Sequence, residues 1–236
     1  MQGGVIRDLA TAINAAPDDK KHAVLEVGLR RLYGPGYLAA MFLERYRKVE
    51  PVSDFATQIR EAMEASFFGL DHAAVATLLP VLEGVLRRLA LADGRDLGNG
   101  TRKLVDEIDK LAGRERRAMA QSSGTHPSAT DALEERIDML GQLRDFMKER
   151  LFIGTDRYDG IDNLNRHGIL HGVFGEYGAA ANFHKLISFL DGQVFFISLG
   201  KSGISCLGPN TTIESRKLAL YFLGLSQARQ LRPSIR

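Results

Sequence analysis

Leu133, Ile137, Leu140, Leu143, Met147 and Leu151 recur at spacings of three and four residues, the period of one face of a helix. The pattern predicts a helix over residues 131–152, with Thr130 as N-cap and Gly154 as the glycine that ends it. A second series, Val75, Leu78, Leu79, Leu82, Leu86 and Leu89, has Pro80 within it. Proline inside a helix costs ~3 kcal/mol, so the expectation there is a kink or a new helix start. Thr211-Thr212-Ile213-Glu214 reads as a capping box opening a helix to residue 225. Earlier helices are expected over 5–15, 20–32, 37–47 and 54–66, with Tyr33-Gly34-Pro35-Gly36 as a break.

Residues 102–121 have helical propensity but few apolar positions, chiefly Leu104, Ile108 and Leu111. The Arg114-Glu115-Arg116-Arg117 run reads as a solvated face. With the loop around Gly124 it makes residues 93–130 an exposed helical excursion. Strand signals are few. Residues 194–199 could form a short strand, but the simpler reading is the end of a helix before a glycine-rich loop. Gly200-Lys201-Ser202 is not a P-loop, because the glycine that pattern needs five residues earlier is Phe195. The expected class is therefore all-α, divided into a helical extension at 1–66 and a helical domain at 67–236.

The chain has 236 residues, 31 Lys and Arg against 29 Asp and Glu, and a formal charge of +2. That balance speaks against a histone-like mass binder of nucleic acid and leaves room for a local basic patch. A single cysteine, Cys206, allows neither an internal disulfide nor a cysteine zinc site. The longest apolar runs fall far short of a membrane span. These features fit a cytoplasmic protein with no membrane partner.

Candidate chemistry concentrates in Asn163-Leu164-Asn165-Arg166-His167-Gly168-Ile169-Leu170-His171-Gly172. On a helix, Asn163, His167 and His171 follow at i, i+4 and i+8, while Arg166 and His171 stand about 140° apart. Two such helices facing each other would bring the arginine of one to the histidine of the other. Gly168 and Gly172 would permit that approach. Histidine titrates near ~6.5 and can move protons at neutral pH. Arginine offers phosphate a planar fork of donors. His167 and His171 could instead bind zinc, but no H-E-x-x-H and no third ligand accompany them. Arg229, Arg232 and Arg236 read as a frayed basic tail. His184 reads as a surface residue. His22, His72 and His126 have no partner in sequence.

Arg166-x-x-x-x-His171 resembles the R-x(4–6)-H motif of the HEPN superfamily, and residues 165–172 resemble its form in HEPN proteins of bacterial defence and toxin loci. Pro80-Val81-Leu82-Glu83-Gly84-Val85-Leu86-Arg87 is similar to an earlier helix of such proteins, and Asn182, Lys185, Leu186 and Leu190 fit the helix after the motif. The resemblance covers roughly residues 70–225. It implies a four- to five-helix bundle, a homodimer with both motif helices in one cleft, and a metal-independent endoribonuclease without cofactor. On that basis His171 is the principal acid and base and Arg166 the phosphate clamp, with His167 and Asn163 as auxiliaries. The partners implied are RNA and, for some members, a nucleotidyltransferase antitoxin. The alternatives are a non-catalytic HEPN module binding RNA, a nucleotide or a protein, and a plain helical scaffold.

Overall fold

The computed structural model describes residues 2–98, 100–121, 127–199 and 208–232, and every regular element among them is helical. The all-α expectation holds. α1 (Gln2–Ala15) and α2 (Asp18–Leu32) pair at the start of the chain. α3 (Pro35–Met41) opens on a proline, whose missing N–H is no loss in a first helical turn. It runs on as a π-helical turn, Phe42–Tyr46. α4 (Ala56–Phe68) and α5 (Asp71–Ala92) pack side by side, as do α6 (Arg102–Gln121) and α7 (Pro127–Phe146). A five-residue helix, α8 (Arg166–Leu170), carries the motif. α9 (Ala180–Leu199) contacts α2, α5 and α7, and α10 (Ile213–Ala228) lies on α3 and α4.

α9 is apolar almost all round, as a helix in the middle of a bundle must be. One buried cluster runs from Leu29 to Phe222 and joins residues on both sides of position 66, which itself lies inside α4. α6 is less of an excursion than expected. Leu104, Ile108 and Ala112 enter that cluster, and the buried Glu107 carboxylate takes a bidentate bond from Arg95. Only the outer face of α6 is solvated.

Several terminal signals are displaced. α7 starts at Pro127, so Thr130 lies within the helix and not at its cap. The helix extends through a π-helical turn, Met147–Leu151, to a cap at Phe152, and Gly154 has φ −59°, so it is no left-handed terminator. Pro80 neither starts nor divides a helix. α5 runs through it with Pro80 exposed, where water can serve the freed carbonyl of Ala76. The capping box sits one residue later than read, between Thr212 and Ser215. Residues 194–199 are the end of α9. The loop reading at Gly200-Lys201-Ser202, Cys206, His126 and Arg236 lie outside the described residues.

Two titratable groups, the half-buried Asp191 and the buried His184, sit where α2 and α3 meet α9. The Asp191 carboxylate accepts from Tyr37 Oη at 2.8 Å and from Tyr46 Oη, and Tyr33 also bonds to it. Burial pushes its carboxyl up to about 6, against the pull of the three hydroxyls. His184, expected at the surface, is buried and stacked on Tyr33. Burial, aided by Arg30, lowers its ring to about 4.

These shifts act on stability with opposite signs. Asp191 is raised, so its contribution is present at low pH and lost as pH rises through about 6. His184 is depressed and stays neutral in the fold while the unfolded chain takes up a proton near ~6.5, so it costs stability as pH falls toward about 4. Each is worth on the order of 3 kcal/mol, so they offset one another in the native protein. Asp191→Asn should therefore lose stability on acidification from neutral pH to the mid-fours, and His184→Gln should gain it. Urea unfolding at the two pH values checks this. Parallel shifts in both variants would show that the groups do not titrate as their burial dictates.

Candidate functional site

The motif lies on a helix, but a much shorter one than its spacing suggested. The side chain of Asn165 starts α8, its Oδ1 accepting from the Gly168 amide at 2.8 Å. Its Nδ2 donates to the carbonyls of Arg150 and Ile153, which ties α8 to the end of the α7 helix. Asn165 is fully buried, so its loss would leave three groups without partners. At the other end the Val173 amide bonds to the Gly168 carbonyl and the Gly172 amide to that of Ile169. This is a Schellman closure, and Gly172 supplies the left-handed residue it needs, with φ +69°. Gly168 is also required within the chain. A Cβ there would lie 2.2 Å from the ring of Phe174, which folds back over α8. Both glycines, expected to admit a second copy, serve the motif's own turn.

Asn163 is therefore not on a helical face with the histidines. It precedes the helix with φ +53°, and its Nδ2 donates to the Glu176 carbonyl at 3.2 Å. Asparagine is among the few side chains that tolerate that conformation. Its role here is to hold the loop before the motif against the loop after it.

His167 has both Arg166 and His171 as neighbours. The imidazoles of His167 and His171 lie parallel, within 6° and 6.1 Å between centroids. His171 caps α8 and is exposed, while His167 is half-buried. Burial lowers the His167 pKa, and the neighbouring Arg166 and His171 lower it further. The ring is thus kept neutral and free to accept a proton at pH 7. The Arg166 Nε donates to Glu83 Oε1 at 2.7 Å. That bond fixes the guanidinium while its two terminal nitrogens carry no other bond within the described residues.

Glu83 and Arg87 were missed as members of this cluster. Glu83 is buried on α5 between Leu79, Leu82 and Leu86, and Arg87 stands 3.6 Å from its second oxygen. The signal was present in sequence, since a carboxylate inside an apolar helical arc requires a cation. Two guanidiniums thus flank one buried carboxylate beside two histidines. His72, at the start of α5, bonds to the Gly175 carbonyl at 3.0 Å and meets the edge of Tyr177, anchoring the loop that follows the motif. The tail is anchored as well. Arg229 pairs with Asp71, and Arg232 donates to the Phe68 and Gly69 carbonyls, so these two are not frayed.

A hollow of about 660 Å³ lies between α2, α7 and α9. Lys185 sits in it, bonded to Asp162 at 2.6 Å and 3.1 Å from His22 Nε2. Burial raises the Asp162 carboxyl, but donation from Lys185 and Tyr158 outweighs it and holds the group low. The hollow adjoins the motif through Leu164, which lines it.

Among the described residues no group of three or more histidine, cysteine or acidic side chains could hold a metal ion, and no helix is long and apolar enough to cross a membrane. Comparison of the chain with family models, with curated proteins and with solved structures finds no match.

Proposed function

We propose that the chain is a metal-independent endoribonuclease of HEPN type, acting in a toxin or antiviral defence setting. The observation that carries the reading is a pair of parallel imidazoles, His171 exposed and His167 half-buried, beside a guanidinium held by a buried carboxylate. RNA brings its own nucleophile. Its 2′-oxygen attacks the adjacent phosphorus, the bond to the 5′-oxygen breaks, and a 2′,3′-cyclic phosphate and a 5′-hydroxyl result. One proton must leave the 2′-oxygen and one must reach the 5′-oxygen. His171, open to solvent, is the principal acid and base. His167, held neutral, is the auxiliary that orients it or accepts a proton. The free terminal nitrogens of Arg166 clamp the phosphate oxygens, where charge gathers in the transition state. Asn163 acts only by holding the loop. The reading also implies a homodimer, and Leu170 and Val173, exposed beside His171, offer apolar surface for one.

The second reading is a non-catalytic HEPN module that binds RNA, a nucleotide or a partner such as an antitoxin. The Arg166–Glu83 pair favours it, because an arginine that neutralises a buried acid has a structural duty without catalysis. Incubation with single-stranded RNA and with DNA separates the two. RNA should be cut in excess EDTA, leaving cyclic phosphate ends, and DNA should stay whole. Cleavage lost on chelation and restored by a divalent cation would overturn the mechanism, and RNA left intact by folded protein would favour the binding module.

A further inference from the structure

Three helical faces converge on the hollow between α2, α7 and α9. His22, Leu25 and Leu29 recur at helical spacing along α2, as do Leu143, Phe146 and Arg150 along α7 and its π-helical turn. Lys185 and Phe189 stand one turn apart on α9. α2 and α7 both pack on α9, and the hollow is the gap between them. Its walls are apolar. Leu25, Leu143 and Phe146 lie at the edge of the core and are only half-buried, and the buried Phe189 tilts against Phe146 at 6.0 Å. A volume of about 660 Å³ is in the range of small-molecule sites, which join an apolar lining to a few polar groups.

The polar groups of this lining have donors to spare. Lys185 donates to Asp162 and stands 3.1 Å from His22 Nε2. An ammonium has three N–H groups, so one is left over. Arg150 donates through Nη1 to Asp159, and its other guanidinium nitrogens carry no bond among the described residues. Asp162 is well used as an acceptor. Its Oδ1 takes the Tyr158 hydroxyl and the Leu164 amide, and its Oδ2 takes Lys185. Asp159 is open to solvent.

We infer that the hollow binds an apolar monocarboxylate, its body against Leu25, Leu143, Phe146 and Phe189 and its carboxylate on Lys185. Two acceptor oxygens match the leftover ammonium N–H and the Arg150 donors. A single charge suits the site, because the Asp159 and Asp162 carboxylates beside the same two cations would repel a phosphate dianion. The apolar walls give no hydrogen bond to a base edge or a ribose, so a nucleotide would lose its bonds to water there. The lining shares no side chain with Arg166, His167 or His171, so the inference stands whether or not the chain cleaves RNA.

Equilibrium dialysis of the full chain against naphthoate tests it, with melting curves recorded beside. One molecule per chain should bind, with saturation in the micromolar range. Naphthylmethanol keeps the rings and drops the charge, and it should bind at least about tenfold more weakly. Gln142 lines the hollow from an exposed position on α7. Gln142→Trp puts a ring into the space, so it should weaken naphthoate binding by more than about tenfold and melt like the native protein. Lys185→Gln should weaken binding as well. That variant strands Asp162, so the uncharged alcohol repeats its test on the native chain. No saturable binding up to millimolar naphthoate would overturn the inference. So would equal binding of the alcohol, or naphthoate binding indifferent to Gln142→Trp, and displacement of naphthoate by ATP would give the hollow to a nucleotide instead.

Discussion

His171→Ala should abolish RNA cleavage while leaving the melting temperature where it was. Residue 171 caps a five-residue helix from the solvent side, and among the described residues the one ring beside its imidazole is the parallel face of His167. The cap needs the backbone of residue 171 and the left-handed Gly172, and alanine keeps both. Removing a proton-transfer group costs ~10²–10⁴ in rate. An exposed side chain without a buried partner changes stability by less than about 0.5 kcal/mol. His167→Ala should lose less activity and melt lower, because that ring is half-buried. Cleavage rates and thermal melts of the two variants, measured together, give the comparison. A His171→Ala protein that cuts RNA at the native rate would remove His171 from the chemistry.

The all-helical class was legible because it rests on repetition. Six apolar positions in phase along α7 and the π-helical turn that continues it, and as many along α5, outvote any single residue, including Pro80. Ends and caps rest on one residue each, and these moved. Thr130 and Gly154 have the right chemistry for caps, but Pro127 can also start a helix, and the last turn closes at Phe152, where the periodicity put it, without a left-handed glycine. The motif was legible as a string and not as a shape. Extending one helix back through Asn163 ignored the buried Asn165, which caps α8 at the Gly168 amide and is held there by bonds to backbone 12 and 15 residues away. No local pattern announces such partners. His184 looked like a surface residue for the same reason, since its ring is covered by Tyr33 from α2's end and not by anything near it in sequence. Glu83 was the readable exception, a charge inside an apolar arc, and it leads directly to Arg166.

Arg166→Ala should damage two properties at once, and their separation tests what the arginine is for. Glu83 is 9% exposed at its side chain and holds the Arg166 Nε at 2.7 Å, with Arg87 farther off at 3.6 Å. Breaking a buried pair by removing one partner costs ~3–5 kcal/mol. Arg166 is itself 23% exposed and Arg87 remains, so a loss nearer ~1–3 kcal/mol is expected here. Cleavage should fall by ~10²–10³ as the donors to the crowded phosphate go. Glu83→Gln added to Arg166→Ala removes the stranded charge. It should restore much of the melting temperature, a coupling that a double-mutant cycle measures, and none of the cleavage. Arg166→Lys keeps the charge beside Glu83 but gives up the planar fork, so it should melt close to native and still cleave poorly. If Arg166→Lys cleaves normally, no bidentate clamp operates at that position. If instead Arg166→Ala melts like the native protein while cleavage is lost, Glu83 needs no cation. The arginine would then serve the substrate alone. Recovered melting without recovered cleavage in the double variant is the pattern that places one side chain in both roles, with Nε turned to the fold and the terminal nitrogens turned to RNA.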